Sequence, residues 1–296
     1  MIKISDQANI CINEQLYIKP DYLNHKYISG NKYRKLKYNL ELAKRLDVKV
    51  LLTFGGAFSN HIAAVAAAGK TFGFKTIGII RGEELEAKAV LNPTLNFAKS
   101  HGMNLHFISR TAYRLKTSEE YMVNLRRIYG DFYLLPEGGT NDLAIKGCTE
   151  ILTKEDEIFD YICCPVGTGG TISGIIASSF SHQKVLGFPA LKEGFLDKEI
   201  RTFTSKDNWK IIRDYHFGGY AKIDAELIHF INAFKDLYDV ALDPVYNGKM
   251  LFGIKDMMAK GKLKKNAKIL AIHTGGLQGI EGMNTVLNKK GLPLII

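Results

Sequence analysis

Val48-Lys49-Val50-Leu51-Leu52-Thr53-Phe54-Gly55-Gly56-Ala57-Phe58-Ser59-Asn60-His61 sets the pattern that the rest of the chain repeats. An apolar, strand-length run stops at a pair of glycines, and an alanine-rich helix follows from Ile62 to Gly69. A strand apolar on both faces belongs in a parallel sheet covered on both sides. A helix of such small side chains can pack closely against that sheet.

Working outward, the rhythm recurs. Thr76–Ile80, Asn104–Ile108 and Phe132–Leu135 read as strands, and helices open at Asn92-Pro93-Thr94 and near Ser118. In the second half Asp160–Val166, Lys184–Phe188 and Lys268–His273 are the strand runs, with helices over Asp224–Tyr238 and Gly248–Lys260. Tyr17–Asp21 reads as a turn, and the mixed stretch 191–222 has no clear assignment. Alternation of this kind predicts an α/β fold with a mostly parallel sheet.

Upstream lies Ser29-Gly30-Asn31-Lys32-Tyr33-Arg34-Lys35-Leu36-Lys37-Tyr38. A Ser-Gly-Asn turn delivers Lys32 to the start of an amphipathic helix whose apolar positions are Leu36, Leu40, Ala43 and Leu46. There the positive end of the helix dipole favours a neutral amine, and a neutral lysine is a nucleophile able to form a Schiff base. The plainer alternative is a solvated basic first turn.

The chain has 296 residues, 46% of them hydrophobic and 24% charged, which suits a globular protein of one or two lobes. The formal charge of +10 raises nucleic acid as a partner, but the basic residues are scattered and lack interleaved aromatics. An anionic cofactor or substrate accounts for the charge better. Cys11, Cys148, Cys163 and Cys164 have neither CxxC nor paired spacing, so a reducing, cytoplasmic setting is expected and a zinc site is not. Met1–Asp6 lacks a signal-peptide apolar region, and no apolar run is long enough for a membrane span.

Four strands end in glycine-rich turns, at Gly55-Gly56, Gly138-Gly139, Gly167–Gly170 and Gly275-Gly276. Ligands of open parallel sheets sit beyond the carboxyl ends of the strands. Gly167-Thr168-Gly169-Gly170-Thr171 combines backbone donors, two hydroxyls and a following helix, as a phosphate cradle requires. It matches neither GxGxxG nor GxxxxGK[ST], and no acidic ribose partner follows, which argues against a nicotinamide dinucleotide. A bare strand-to-helix turn is the other reading. A phosphate cradle together with an activatable lysine suggests pyridoxal phosphate, which needs an amine for its aldehyde and donors for its phosphate.

Five runs occur in order: Gly30–Leu36, Gly55–His61, Gly167–Gly174, Asp243–Lys249 and His273–Gly276. Together they resemble the 1-aminocyclopropane-1-carboxylate (ACC) deaminase/D-cysteine desulfhydrase family of fold-type-II pyridoxal-phosphate enzymes. The resemblance implies two open, twisted α/β domains with the cofactor in the cleft between them. It places 1–36 and 142–296 in a large domain and 37–141 in a smaller inserted one, and it implies a homodimer acting on a small amino acid.

Residue by residue, the resemblance puts the covalent anchor at Lys32 and the partner of the phenolic oxygen at Asn60. Ser59 and His61 match positions that hold the substrate carboxylate, with His61 where the deaminases usually carry glutamine. Gly167, Thr168, Gly169, Gly170 and Thr171 would bind the phosphate. Tyr246 matches a tyrosine packed by the ring, and Tyr220 loosely matches a second active-site tyrosine. Thr274 would face the ring nitrogen. ACC deaminases carry glutamate and leucine where this chain has Asn247 and Thr274. Small polar residues there are a desulfhydrase trait, so the expected reaction is α,β-elimination from D-cysteine. ACC deamination is the alternative, and a pyridoxal-phosphate-binding protein without turnover is a third reading.

Overall fold

The computed structural model describes residues 7–192, 194 and 196–296. Met1–Asp6, and Glu193 and Phe195 within the stretch 191–222, lie outside the described residues. The chain opens with strands β1 (Ile10–Cys11) and β2 (Leu16–Lys19), then helix α1 (Asn31–Arg45). There follow β3 (Val50–Gly55), α2 (Asn60–Phe72), β4 (Lys75–Arg81), α3 (Pro93–Ser100), β5 (Met103–Ile108), α4 (Arg110–Arg114), α5 (Glu119–Tyr129) and β6 (Tyr133–Leu135). The second half runs α6 (Asp142–Cys148), β7 (Tyr161–Val166), α7 (Gly170–Ser178), β8 (Lys184–Pro189), α8 (Leu196–Arg201) and β9 (Trp209–Ile211). It closes with α9 (Ala225–Tyr238), α10 (Asn247–Ala259), β10 (Ile269–Ile272) and α11 (Gly279–Lys289).

The strands form two sheets, a six-stranded one in the order β1-β2-β10-β7-β8-β9 and a four-stranded one in the order β5-β4-β3-β6. Every pairing is parallel except the β1–β2 hairpin. The strands of the smaller sheet all come from residues 50–135, and those of the larger sheet from both sides of that segment.

Central strands are buried on both faces, as their composition demands. Leu51 and Leu52 face opposite ways in β3 and both are fully buried, each contributing about 1.5–3 kcal/mol over an exposed position. Pro165 can stand in the central strand β7 because β10 pairs only as far as Cys163, so no ladder bond is lost on that side. α2 is buried from His61 to Gly69, and at Gly69 a Cβ would come within 2.3 Å of Thr76 Cγ2.

Two local readings of the sequence are corrected. Tyr17, Ile18 and Lys19 are not a turn but part of β2, which pairs in parallel with β10 from Leu16↔Ile269 to Lys19↔Ile272. Leu46 does not extend the buried stripe of α1, because the helix ends at Arg45 and leaves that side chain exposed. Within 191–222 the described chain supplies α8 and the edge strand β9, which pairs only with β8.

The carboxyl ends of β3, β6, β7 and β10 all deliver glycine-bearing loops to one cavity. That cavity has a volume of about 90 Å³, several times what a single buried water needs.

Candidate active site

Lys32 is the second residue of α1, and a close backbone approach puts it in place. Gly30 has φ +61°, and a Cβ there would lie 2.1 Å from the Thr274 carbonyl oxygen. The Asn31 N–H donates to that same oxygen at 3.2 Å. Only glycine lets the start of α1 dock on the end of β10 this tightly. Lys32 Nζ donates to Asn31 Oδ1 at 3.3 Å, while Asn31 Nδ2 donates to Thr171 Oγ1 at 2.9 Å.

The Lys32 amine is desolvated, which lowers its pKa from 10.5 to about 7, and the neighbouring charge of Lys35 adds to the fall. The sequence reading traced a neutral amine to the helix dipole. Burial and a like charge carry it here. Lys35 is itself buried, and its Nζ donates to the Gly138 carbonyl at 2.9 Å, Thr140 Oγ1 at 3.0 Å and Thr168 Oγ1 at 3.4 Å. Burial lowers its pKa from the ordinary lysine value, and its three acceptors, all neutral, are those an ammonium needs.

Facing them is the turn between β7 and α7. Gly169 has φ +81° and precedes a helix whose first turn receives no side-chain cap. The helices α2, α3, α5, α6 and α9, by contrast, are each capped by a Ser, Asn or Asp side chain. α1, α10 and α11 also lack such a cap, but α7 begins on the cavity wall, where Gly169, Thr171 and Ile172 bring the positive end of the helix alongside Thr168. Gly167, Thr168, Gly169 and Thr171 line the cavity. Gly170 stands behind its wall, where a Cβ would meet Thr140 at 2.8 Å.

α2 supplies the third side. Ser59 caps it, Oγ accepting from the N–H groups of His61 and Ile62 at 3.2 and 3.3 Å, so the hydroxyl proton is left over. Asn60 Oδ1 accepts from Gln278 Nε2 at 2.5 Å, which leaves the Asn60 amide as the free donor. His61 is buried, and neither ring nitrogen makes a hydrogen bond of good geometry, the Pro136 carbonyl being a weak contact. Burial, then the charges of Lys32 and Lys35, push its pKa well below 6.5, so the ring is neutral. A buried imidazole so weakly partnered on a cavity wall is free to donate to an acceptor.

α10 and β10 close the far side. The buried Asp243 carboxylate accepts from the N–H groups of Val245, Tyr246 and Asn247 at 2.9–3.0 Å and from Asn247 Nδ2 at 2.5 Å. Asn247 Nδ2 also donates to the Gly275 carbonyl, and its Oδ1 accepts the Thr274 N–H at 3.0 Å. Asn247 is thus a buried strut behind Thr274, and only Thr274 reaches the cavity. Burial holds the Tyr246 hydroxyl well above its ordinary pKa, with Tyr220 and Asp243 adding to the rise. Tyr220 is 44% exposed over its whole surface, yet it lines the cavity, with its ring centroid 6.3 Å from that of Tyr246.

All the expected site residues except Gly170 line this one cavity, although they are drawn from six separate stretches. Sequence reasoning missed Gln278, which orients Asn60, and the supporting roles of Asn31, Asp243 and Thr140. Among the described residues no group of His, Cys, Asp or Glu side chains could hold a metal ion. A phosphate-bearing aldehyde is what this wall accommodates: amides, hydroxyls and the Lys35 ammonium for the phosphate, and a near-neutral amine for the aldehyde.

Comparison with known proteins agrees. A protein of Pyrococcus horikoshii, provisionally named an ACC deaminase, is 31% identical over 286 residues, covering 90% of this chain and 86% of the relative. A bifunctional D-cysteine desulfhydrase/ACC deaminase of Arabidopsis thaliana is 31% identical over 294 residues, covering 90% and 73%. The crystal structure of an ACC deaminase homologue superposes with a TM-score of 0.76 at 30% identity, over 89% of this chain and 85% of that one. The family model described as "Pyridoxal-phosphate dependent enzyme" matches residues 3–275. With a cradle for the phosphate and an amine for the aldehyde in one cavity, the chain belongs to the fold-type-II pyridoxal-phosphate-dependent enzymes.

Proposed function

We propose that this protein is a lyase that deaminates a small α-amino acid to a 2-oxo acid and ammonia. The observation that carries this reading is the Lys32 amine, held to about 7 on the same cavity wall as the Gly167–Thr171 turn. Pyridoxal phosphate, when bound, draws electrons away from the substrate α-carbon.

The chain's own residues do the rest. The α7 amides, Thr168, Thr171 and the Lys35 charge hold the phosphate, and Lys32 Nζ holds the aldehyde carbon. Asn60, fixed by Gln278, donates to the phenolic oxygen. Ser59 and His61 supply the two donors free to take a substrate carboxylate. Tyr246 and Tyr220 keep their hydroxyl protons at neutral pH, and the neutral His61 ring is too weak a base to take one up. Lys32 Nζ, freed once the substrate amine has taken its place on the aldehyde carbon, has a proton affinity near neutrality and would then be the base for the α-proton.

The names of relatives point most directly to ACC as substrate. One observation favours elimination from D-cysteine instead. Among the described residues no carboxylate lines the cavity beside Thr274, so a bound ring nitrogen would meet a hydroxyl and the ring would be a weaker electron sink. A thiolate leaves readily with such help, and a cyclopropane ring does not. Assays of 2-oxobutyrate from ACC, and of pyruvate and sulfide from D-cysteine and L-cysteine, separate the two. Lys32→Ala should abolish both turnover and the cofactor's visible absorbance. A substrate-induced spectral change with no product on any substrate would identify a binding protein instead. We further propose a homodimer, which sedimentation of the purified protein tests, and a division at 36/37 and 141/142 into inserted and enclosing domains. The first of those divisions falls inside α1.

A further inference from the structure

Lys249 takes no part in the chemistry above, yet it is 2% exposed, an unusual place for a lysine. Its Nζ donates to the carbonyls of His216 and Gly219, at 2.9 and 2.8 Å. Among the described residues no carboxylate lies within ion-pair distance of it. The ammonium is spent on two backbone oxygens.

Those oxygens belong to a turn under strain. Phe217 and Ala221 have φ of +53° and +54° without being glycine, and Gly218 and Gly219 between them have φ of +87° and +118°. Inside the turn, the Gly219 N–H donates to the His216 carbonyl at 3.0 Å and the Lys222 N–H to the Gly219 carbonyl at 3.2 Å. Lys249 thus grips the same two oxygens that close the turn on itself. The Phe217 ring packs edge-on against Phe252 of α10, with centroids 5.0 Å apart. The turn carries Tyr220, which lines the cavity beside Tyr246. Tyr246 immediately precedes α10, three residues before Lys249, so both belong to the start of that helix.

We propose that Lys249 is a positioning residue: it clamps the strained turn Phe217–Ala221 onto α10 and so sets Tyr220 against Tyr246 on the cavity wall. The consequence for turnover rests on the lyase reading, but the clamp itself does not. Tyr220 owes its place to a helix that also carries Tyr246, which couples the two tyrosines without direct covalent linkage.

Hydrogen exchange of the cofactor-free protein tests the clamp, and steady-state kinetics of the holoenzyme test its purpose. In Lys249→Met the amides of Gly219 and Lys222 should exchange at least about tenfold faster, while amides of β8 are unchanged. Lys249→Arg, which keeps the donors, should recover part of that protection. Should the methionine variant not yield folded protein, Lys249→Gln, too short to reach both carbonyls, must show the same loss. In the holoenzyme KM should rise about tenfold with cofactor absorbance retained. Combining the change with Tyr220→Phe should add little to either variant alone. Unchanged exchange overturns the clamp, and full additivity with Tyr220→Phe overturns its role in placing Tyr220. A wild type without turnover on any amino acid overturns the lyase reading alone, since the exchange result stands apart from it.

Discussion

The buried Lys35 stands one helical turn beyond Lys32 on the same wall of the cavity, and its charge helps keep the Lys32 amine neutral. Burial is the larger cause, and Lys35 is the second. The nucleophile and the anion-binding charge are therefore set three residues apart on one rigid helix.

This pair has a pH signature. Covalent capture of the cofactor by the cofactor-free protein should quicken as pH rises and level off above about 7, where Lys32 is deprotonated. Lys35→Met removes a like charge, so the midpoint should move up by about 1 unit, while phosphate affinity falls. Absorbance-detected mixing across a pH series measures both.

Gly30→Ala should disable the site from outside the cavity. At φ +61° and ψ −138° the backbone alone costs an alanine about 1–3 kcal/mol, and the new methyl would lie 2.1 Å from the Thr274 oxygen. The start of α1 must then lift away from β10, taking Lys32 with it. Thermal unfolding should show a lower midpoint, and cofactor titration a weakened or absent absorbance change.

His61 makes the fold sensitive to acid. Its native pKa lies well below 6.5, so the unfolded chain binds the extra proton first as pH falls. The stability held by the neutral ring is fully present above pH 6.5 and declines below it. His61→Gln should flatten that part of the stability curve in urea titrations at successive pH values. Glutamine keeps a donor on the cavity wall, so cofactor loading should survive.

Asn247→Glu alone should be costly. Asn247 Nδ2 donates at 2.5 Å to Asp243 Oδ1, so a glutamate would oppose a buried carboxylate. We expect a loss of about 1–3 kcal/mol. The loss should grow as pH rises through the ordinary glutamate range near 4.3, because the new group's pKa is raised. Stability measured at two pH values on either side of that range checks the sign.

The fold was legible wherever a strand is buried on both faces. β3, β7 and β10 advertise themselves as apolar runs, and Ser118, Asn92 and Asp224 mark helix starts by their capping chemistry. β2 was not legible, because its reason for existing is a partner some 250 residues away in β10. β9 is a three-residue edge and carries little pattern of its own. At the site, the glycine turns and Lys32 stood out because backbone approach and nucleophilicity each restrict residue type. Gln278 did not, since its contact with Asn60 spans 218 positions and nothing local requires a glutamine. The cause of the Lys32 shift was likewise hidden, because desolvation depends on tertiary packing.

The uncapped start of α7 ties the enzyme's persistence to its diet. A ligand that fills the place of a missing cap is bound by the native state and ignored by the unfolded chain, so saturating amounts stabilise the protein and scarcity exposes it to proteolysis. A shortage of the cofactor would cost the polypeptide as well as its activity, and abundance would track supply without any dedicated sensor.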